Sequence, residues 1–148
     1  MKTILVADDD PDILNVVSLR LKKFGYRVFT AENGVQAVAL AINHHPDLII
    51  LDIRMPSGNG LSVYEKLKGS VETAFIPVIF FTAHPSADIR KKVLGWGASN
   101  FIAKPFTTRE LIVKVKQALF EDIPRDLVSG IPNGETRMIT LHSYSMIT

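Results

Sequence analysis

Leu48-Ile49-Ile50-Leu51-Asp52-Ile53-Arg54-Met55-Pro56 is a short apolar run that ends on one carboxylate and then turns at once. Four consecutive apolar residues without alternation predict a strand buried on both faces, as in parallel sheets. Open α/β sheets place their chemistry at the carboxyl ends of such strands. The same design recurs along the chain. Ile4-Leu5-Val6-Ala7 runs into Asp8-Asp9-Asp10, Val78-Ile79-Phe80-Phe81 ends on Thr82, and Phe101-Ile102-Ala103 ends on Lys104. Laid parallel in one sheet, these four strands would bring their closing acids, a hydroxyl and an ammonium to a single edge.

Between these runs the hydrophobic period changes from strand to helix. Strands are predicted over 3–7, 26–30, 48–51, 77–81 and 100–103, and helices over 11–24, 35–44, 61–67, 87–94 and 107–120. In the first helix Ile13, Val17, Leu21 and Phe24 share a face, while Asp10 as cap and Pro11 at the first position start it and Gly25 stops it. Asn33-Gly34 turns into the second helix, which Pro46 stops. Leu111, Ile112, Val115 and Leu119 line one side of the last. Regular alternation of strand and helix predicts a doubly wound α/β fold, a parallel sheet with helices on both faces.

At 148 residues the chain suits one domain and a short extension. Its 47% apolar and 22% charged residues are ordinary globular values, and no apolar run approaches the roughly 20 residues of a membrane span. The amino terminus enters a strand without a signal-peptide pattern, and the lack of cysteine removes disulfides and thiolate metal sites, so a cytoplasmic protein is expected. The formal charge is +2. From residue 121 onward four acids face two bases, a net −2 that leaves +4 for the body. That is too weak for an electrostatic nucleic-acid footprint, and no direct nucleic-acid or membrane partner is expected. Ile123-Pro124 breaks the pattern. Residues 122–148 therefore read as a tail or linker, with turn-forming residues 129–136 followed by a β-prone end.

Carboxylates held within a few ångströms repel one another, and they either raise a pKa or collect a cation. With only oxygen ligands on offer the natural guest is a hard cation such as Mg²⁺. A cation beside Asp52 suits phosphoryl transfer, where developing charge needs electrostatic clamping. Lys104 adds a positive group and Thr82 a hydroxyl donor. The set points to an aspartyl-phosphate site with Asp52 as nucleophile.

These residues carry a resemblance to the receiver domains of two-component response regulators, in the CheY-like superfamily, over about residues 2–121. Asp8-Asp9 resembles the family's acidic pair, in which Asp9 corresponds to the direct Mg²⁺ ligand and Asp8 to one acting mainly through water. Asp52 lies at the phosphorylated position, Met55-Pro56 with Gly60 repeats the turn after it, and the backbone carbonyl of Arg54 corresponds to a further metal ligand. Thr82-Ala83 matches the switch hydroxyl and its small neighbour, and Lys104-Pro105-Phe106 the family's lysine and following proline, whose peptide bond is often cis. Phe101 falls on the switch aromatic, where tyrosine is frequent. Arg54 and His84 fall on positions that tune the lifetime of the phosphoryl group. The resemblance implies a flavodoxin-like, five-stranded parallel sheet of order 2-1-3-4-5 with five helices.

It also implies a Mg²⁺-dependent phosphoacceptor switch rather than an enzyme. The expected donor is a sensor histidine kinase or histidine phosphotransfer protein. The expected recipient is a downstream protein target or an output domain on a longer chain, since 148 residues leave no room for an effector domain. Phosphorylation should remodel the surface of the last two helices and the fifth strand. The apolar tail, with Met138, Ile139, Leu141, Tyr144 and Ile147, is expected to dock on its own receiver or on a second copy as a homodimer, by adding to a sheet edge. Two alternatives remain beside this reading. A haloacid-dehalogenase-type phosphatase would use Asp8 as nucleophile and Asp10 as acid/base, and a degenerate receiver would serve only as an interaction module.

Overall fold

The computed structural model describes residues 1–55, 59–83, 91 and 100–128. Five parallel strands, β1 Thr3–Ala7, β2 Arg27–Ala31, β3 Leu48–Asp52, β4 Val78–Thr82 and β5 Asn100–Ala103, form one sheet in the order β2-β1-β3-β4-β5. The expected flavodoxin-like order is thus the observed one. Every residue of β3 and β4 is buried, as strands covered on both faces require. Registers Ala7↔Leu51, Asp52↔Phe81 and Thr82↔Ala103 align the strand ends, so Asp8, Asp52, Thr82 and Lys104 stand along one edge.

Helices α1 Pro11–Lys23, α2 Gly34–His44, α3 Gly60–Lys68, α4 Thr108–Ala118 and α5 Arg125–Val128 are described. The helix expected over 87–94 lies outside the described residues. The helix Arg125–Val128 was not foreseen: it follows the Ile123-Pro124 break, and Leu127 packs against the core. Side-chain caps explain where the longer helices begin. Asp10 accepts from the Asp12 N–H, Asn33 from Gln36, Asn59 from Ser62, and Thr107 forms a reciprocal capping box with Glu110.

Two hydrophobic clusters sandwich the sheet. On one side Leu5, Ile49, Leu51 and Phe80 pack with Ala37 and Ala41 of α2 and with Val63, Tyr64 and Leu67 of α3. On the other, Ile4, Val6, Ile50, Ile79 and Phe81 meet α1 and α4. In α1 the fully inward positions are Leu14, Val17 and Leu21, while Ile13 and Phe24 are half-buried. The buried stripe is therefore displaced by one residue at its start from the expected face, because Leu14 and Ile13 differ by only 100° around the helix and the sheet chooses between them. Among the described residues, each expected strand or helix boundary otherwise falls within about two residues of its expected place.

Candidate functional site

The acids that follow β1 look alike in sequence and are treated differently by the fold. Asp8 is fully buried, and one oxygen accepts from the Asp10 N–H at 3.0 Å while the other meets the Lys104 Nζ at 2.6 Å. Asp9 is exposed at the rim. Asp10 is engaged in capping α1. Ligand oxygens of Asp8, Asp9 and Asp52 lie within 4.8 Å of one another. The cap on Asp10 argues against the phosphatase alternative, whose acid/base would have to be free to shuttle a proton.

Asp52 is the last residue of β3 and is nearly buried. Its side chain accepts from the Arg54 N–H at 3.3 Å and lies 3.5 Å from Lys104 Nζ. Burial, and then the negative charge of Asp8, push its carboxyl up from 3.8 to about 6, against the opposing pull of Lys104 and the Arg54 N–H. One ammonium thus serves two buried carboxylates, with a third at the rim. The site is short of positive charge. An all-oxygen donor set with that deficit fits a hard divalent cation such as Mg²⁺, which Asp8, Asp9 and Asp52 would hold.

Thr82 ends β4 and is buried 5% exposed beside the site. Its carbonyl accepts from the Lys104 N–H at 2.8 Å, so the β4–β5 pairing itself delivers the hydroxyl and the ammonium together. The Lys104–Pro105 peptide bond is cis. Phe106 beyond it stacks on Phe81 at 4.9 Å between centroids, and Lys104 Nζ lies 5.8 Å from the Phe81 ring, so aromatic packing supports the lysine from below. Phe101 is half-buried and meets Phe80 at 6.2 Å. Arg54 is exposed and presents its N–H to Asp52. Pro56 and His84 lie outside the described residues, as do Trp96 and the 138–147 tail segment.

Sequence reasoning missed two features. Gly60 belongs to the expected turn, but its role is steric: it donates its N–H to the Ile53 carbonyl at 2.8 Å, and a β-carbon there would overlap the Asp52 carbonyl oxygen. The other is a groove of about 460 Å³ between α1 and the β5–α4 loop, lined by Ile13, Val16, Arg20, Lys104, Pro105 and Phe106. Its trace in sequence is Val16, an apolar residue that lines the groove from the exposed side of an otherwise amphipathic helix.

Known proteins place this geometry in context. A family model described as the response regulator receiver domain matches residues 4–116. The chain is 37% identical over 133 residues to the phosphate regulon transcriptional regulatory protein PhoB of Pseudomonas aeruginosa, covering 90% of this chain and 58% of that one. It is 39% identical over 121 residues to the DNA-binding dual master transcriptional regulator RpaA of Synechocystis, covering 80% and 49%. It therefore spans about half the length of these relatives. Among solved structures, Vibrio cholerae chemotaxis protein CheY4 is 30% identical with a TM-score of 0.74, over 80% of this chain and 98% of that one. The receiver domain of sensor histidine kinase PA1611 from Pseudomonas aeruginosa, described with a magnesium ion coordinated in its active site cleft, is likewise 30% identical with a TM-score of 0.74, over 80% and 97%.

Proposed function

Because the chain belongs to the response regulator receiver domain family, we propose that it is a phosphoacceptor switch in which Asp52 takes a phosphoryl group from a phosphohistidine donor. The observation that carries this reading is one buried carboxylate facing an acidic pair, with a lysine 3.5 Å away. An Asp52 oxygen attacks phosphorus, the new P–O bond forms as the P–N bond breaks, and the imidazole nitrogen leaves with the electron pair and is reprotonated from solvent. With its carboxyl at about 6, Asp52 is ionised at neutral pH and able to attack. Lys104 is placed to neutralise the arriving phosphoryl oxygens. Bound Mg²⁺ supplies further charge neutralisation there. Asp8, Asp9, Asp52 and the Arg54 carbonyl are the proposed ligands. The family is a signalling switch and not a conventional enzyme, and the proposed turnover is limited to self-catalysed transfer and hydrolysis, with Arg54 and His84 as the proposed rate-tuning residues.

The new charge of about −1.5 to −2 would draw Thr82 and Lys104 inward, and Phe101 would turn into the vacated space. The surface proposed to change is then β5 with α4 and the segment that precedes β5 in sequence. The apolar groove beside Lys104 supports docking of a histidine kinase or histidine phosphotransfer protein, since a donor must settle next to Asp52. Output passes to a downstream protein or to an output domain on a longer chain, in the cytoplasm. A charge of +2 supports no direct nucleic-acid contact by these residues, and among the described residues no helix is long and apolar enough to cross a membrane.

Labelling with a small acyl phosphate tests the reading. Wild-type protein is expected to become labelled only with a divalent cation present, and Asp52→Asn to lose the label. Labelling of that variant to the wild-type extent would overturn the assignment. Asp9→Ala is expected to abolish the Mg²⁺ titration, and an unchanged titration would remove Asp9 from the ligand set.

A further inference from the structure

The turn between α3 and β4 is unusually well built for a surface loop and holds two apolar side chains outward. Lys68 Nζ donates to the carbonyls of Ala74 and Ile76, both at 2.9 Å, and the buried Thr73 hydroxyl donates to the Leu67 carbonyl at 2.6 Å. The Ala74 N–H reaches the Ser70 carbonyl at 2.8 Å, closing one helical turn. Residues 71 and 75, four apart on that turn, share a face. With Thr73 pinned inward, that face is outward, and Val71 and Phe75 are 89% and 93% exposed. An ordered loop that keeps a phenylalanine in water has the form of an anchor awaiting a cover.

The cover is available on the same chain. α3 starts beyond the carboxyl end of β3 and α4 beyond that of β5, so both return to the opposite, amino end of the sheet. The Val71–Phe75 turn and the root of the tail therefore lie at that same end. The root is held there: the Tyr26 hydroxyl donates to Glu121 at 2.5 Å, Lys116 donates to that hydroxyl at 3.1 Å, and Leu127 packs on the core. Beyond Val128, nine residues precede the apolar stretch that starts at Met138. Extended, they reach up to about 30 Å. A domain of about 120 residues has a radius of gyration of about 14 Å, so the stretch can arrive without traversing the height of the sheet. A tether of that length holds it at an effective concentration on the order of millimolar.

We propose that residues 138–147 of this chain dock on its own Val71–Phe75 turn, with Ile139, Leu141 and Tyr144 covering Phe75. The site is remote from Asp52 and independent of phosphoryl chemistry. It also lies away from the open sheet edges that sequence patterning suggested for the tail.

Hydrogen exchange on residues 1–148 tests this. Amides 138–147 are expected to exchange at least tenfold more slowly than the same segment as a free peptide, equally at low and high protein concentration. Val71→Ser with Phe75→Ser is expected to return them to the free-peptide rate while the β3 amides 48–52 keep their protection, since both side chains lie outside the core. Free-peptide exchange of 138–147 in the wild type would overturn the proposal, as would slowed exchange that the double variant leaves intact. Protection lost on dilution would assign the turn to a second copy instead, and would equally overturn the intramolecular dock.

Discussion

Two lysine–carboxylate clusters sit at opposite ends of the same sheet. At the amino end, Lys116, Glu121 and Tyr26 make a closed set: one ammonium, one carboxylate 3.8 Å away, and a hydroxyl bonded to both. Burial and the Glu121 contact push the Tyr26 hydroxyl far above its usual range, so it stays a donor throughout. At the carboxyl end, Lys104 is shared between Asp8 and Asp52, with Asp9 beside them. The first cluster is balanced and structural. The second is left with excess negative charge in a largely desolvated place, which a bound cation would neutralise.

The contrast predicts unequal responses to the loss of each lysine. Lys104→Ala leaves two buried carboxylates uncompensated and is expected to cost about 3 kcal/mol in urea unfolding, together with most of the acyl-phosphate labelling. Lys116→Ala, whose partner Glu121 is partly exposed, is expected to cost about 1 kcal/mol and to leave labelling unchanged. Equal losses would dissolve the distinction between the clusters.

Asp52 provides a sharper test because its expected effect has the unusual sign. Its carboxyl lies at about 6 in the folded protein against 3.8 when unperturbed, so between these values the folded state holds the extra proton. Its contribution to stability is therefore greatest below about pH 4, declines as the pH rises to about 6, and stays low above that. Asp52→Asn is expected to flatten this dependence and to stabilise the Mg²⁺-free protein by about 2 kcal/mol at pH 8. Urea midpoints for both proteins at pH 4.5 and pH 8 measure it, and a destabilised variant at pH 8 would contradict the charge imbalance.

Gly60→Ala should follow in size. Its β-carbon must displace the Asp52 backbone, so a loss of about 2 kcal/mol and slower labelling are expected. Gly69→Ala, whose β-carbon would stand 3.3 Å from the Glu65 carbonyl, serves as the mild comparison. The smallest effect belongs to the closed cluster: Tyr26→Phe removes the hydroxyl that donates to Glu121 and accepts from Lys116 while leaving that ion pair in place, and is expected to cost about 1 kcal/mol, with labelling intact. A labelling change in this variant would show that the two ends of the sheet are coupled.

The sheet and the gathering of its candidate site residues at one edge were legible because buried parallel strands are written as uninterrupted apolar runs, and the residue closing each run must emerge at the carboxyl edge. Asp52, Thr82 and Lys104 follow from that rule alone. The division of labour between Asp8 and Asp9 does not, since the two are identical in chemistry and adjacent in sequence. The Asp10-Pro11 pair already marks the cap of α1, but only the pleat of β1 decides that Asp8 turns inward to Lys104 while Asp9 stays at the rim. Likewise, Leu14 replaces Ile13 in the core by the rotation of one helix against the sheet, and Gly60 proves indispensable because another segment's carbonyl occupies the space beside it. Local pattern thus determined the elements, their order and the chemistry on offer. Distances, burial and the missing positive charge arise between residues 44 to 96 positions apart, and only the folded chain brings them together.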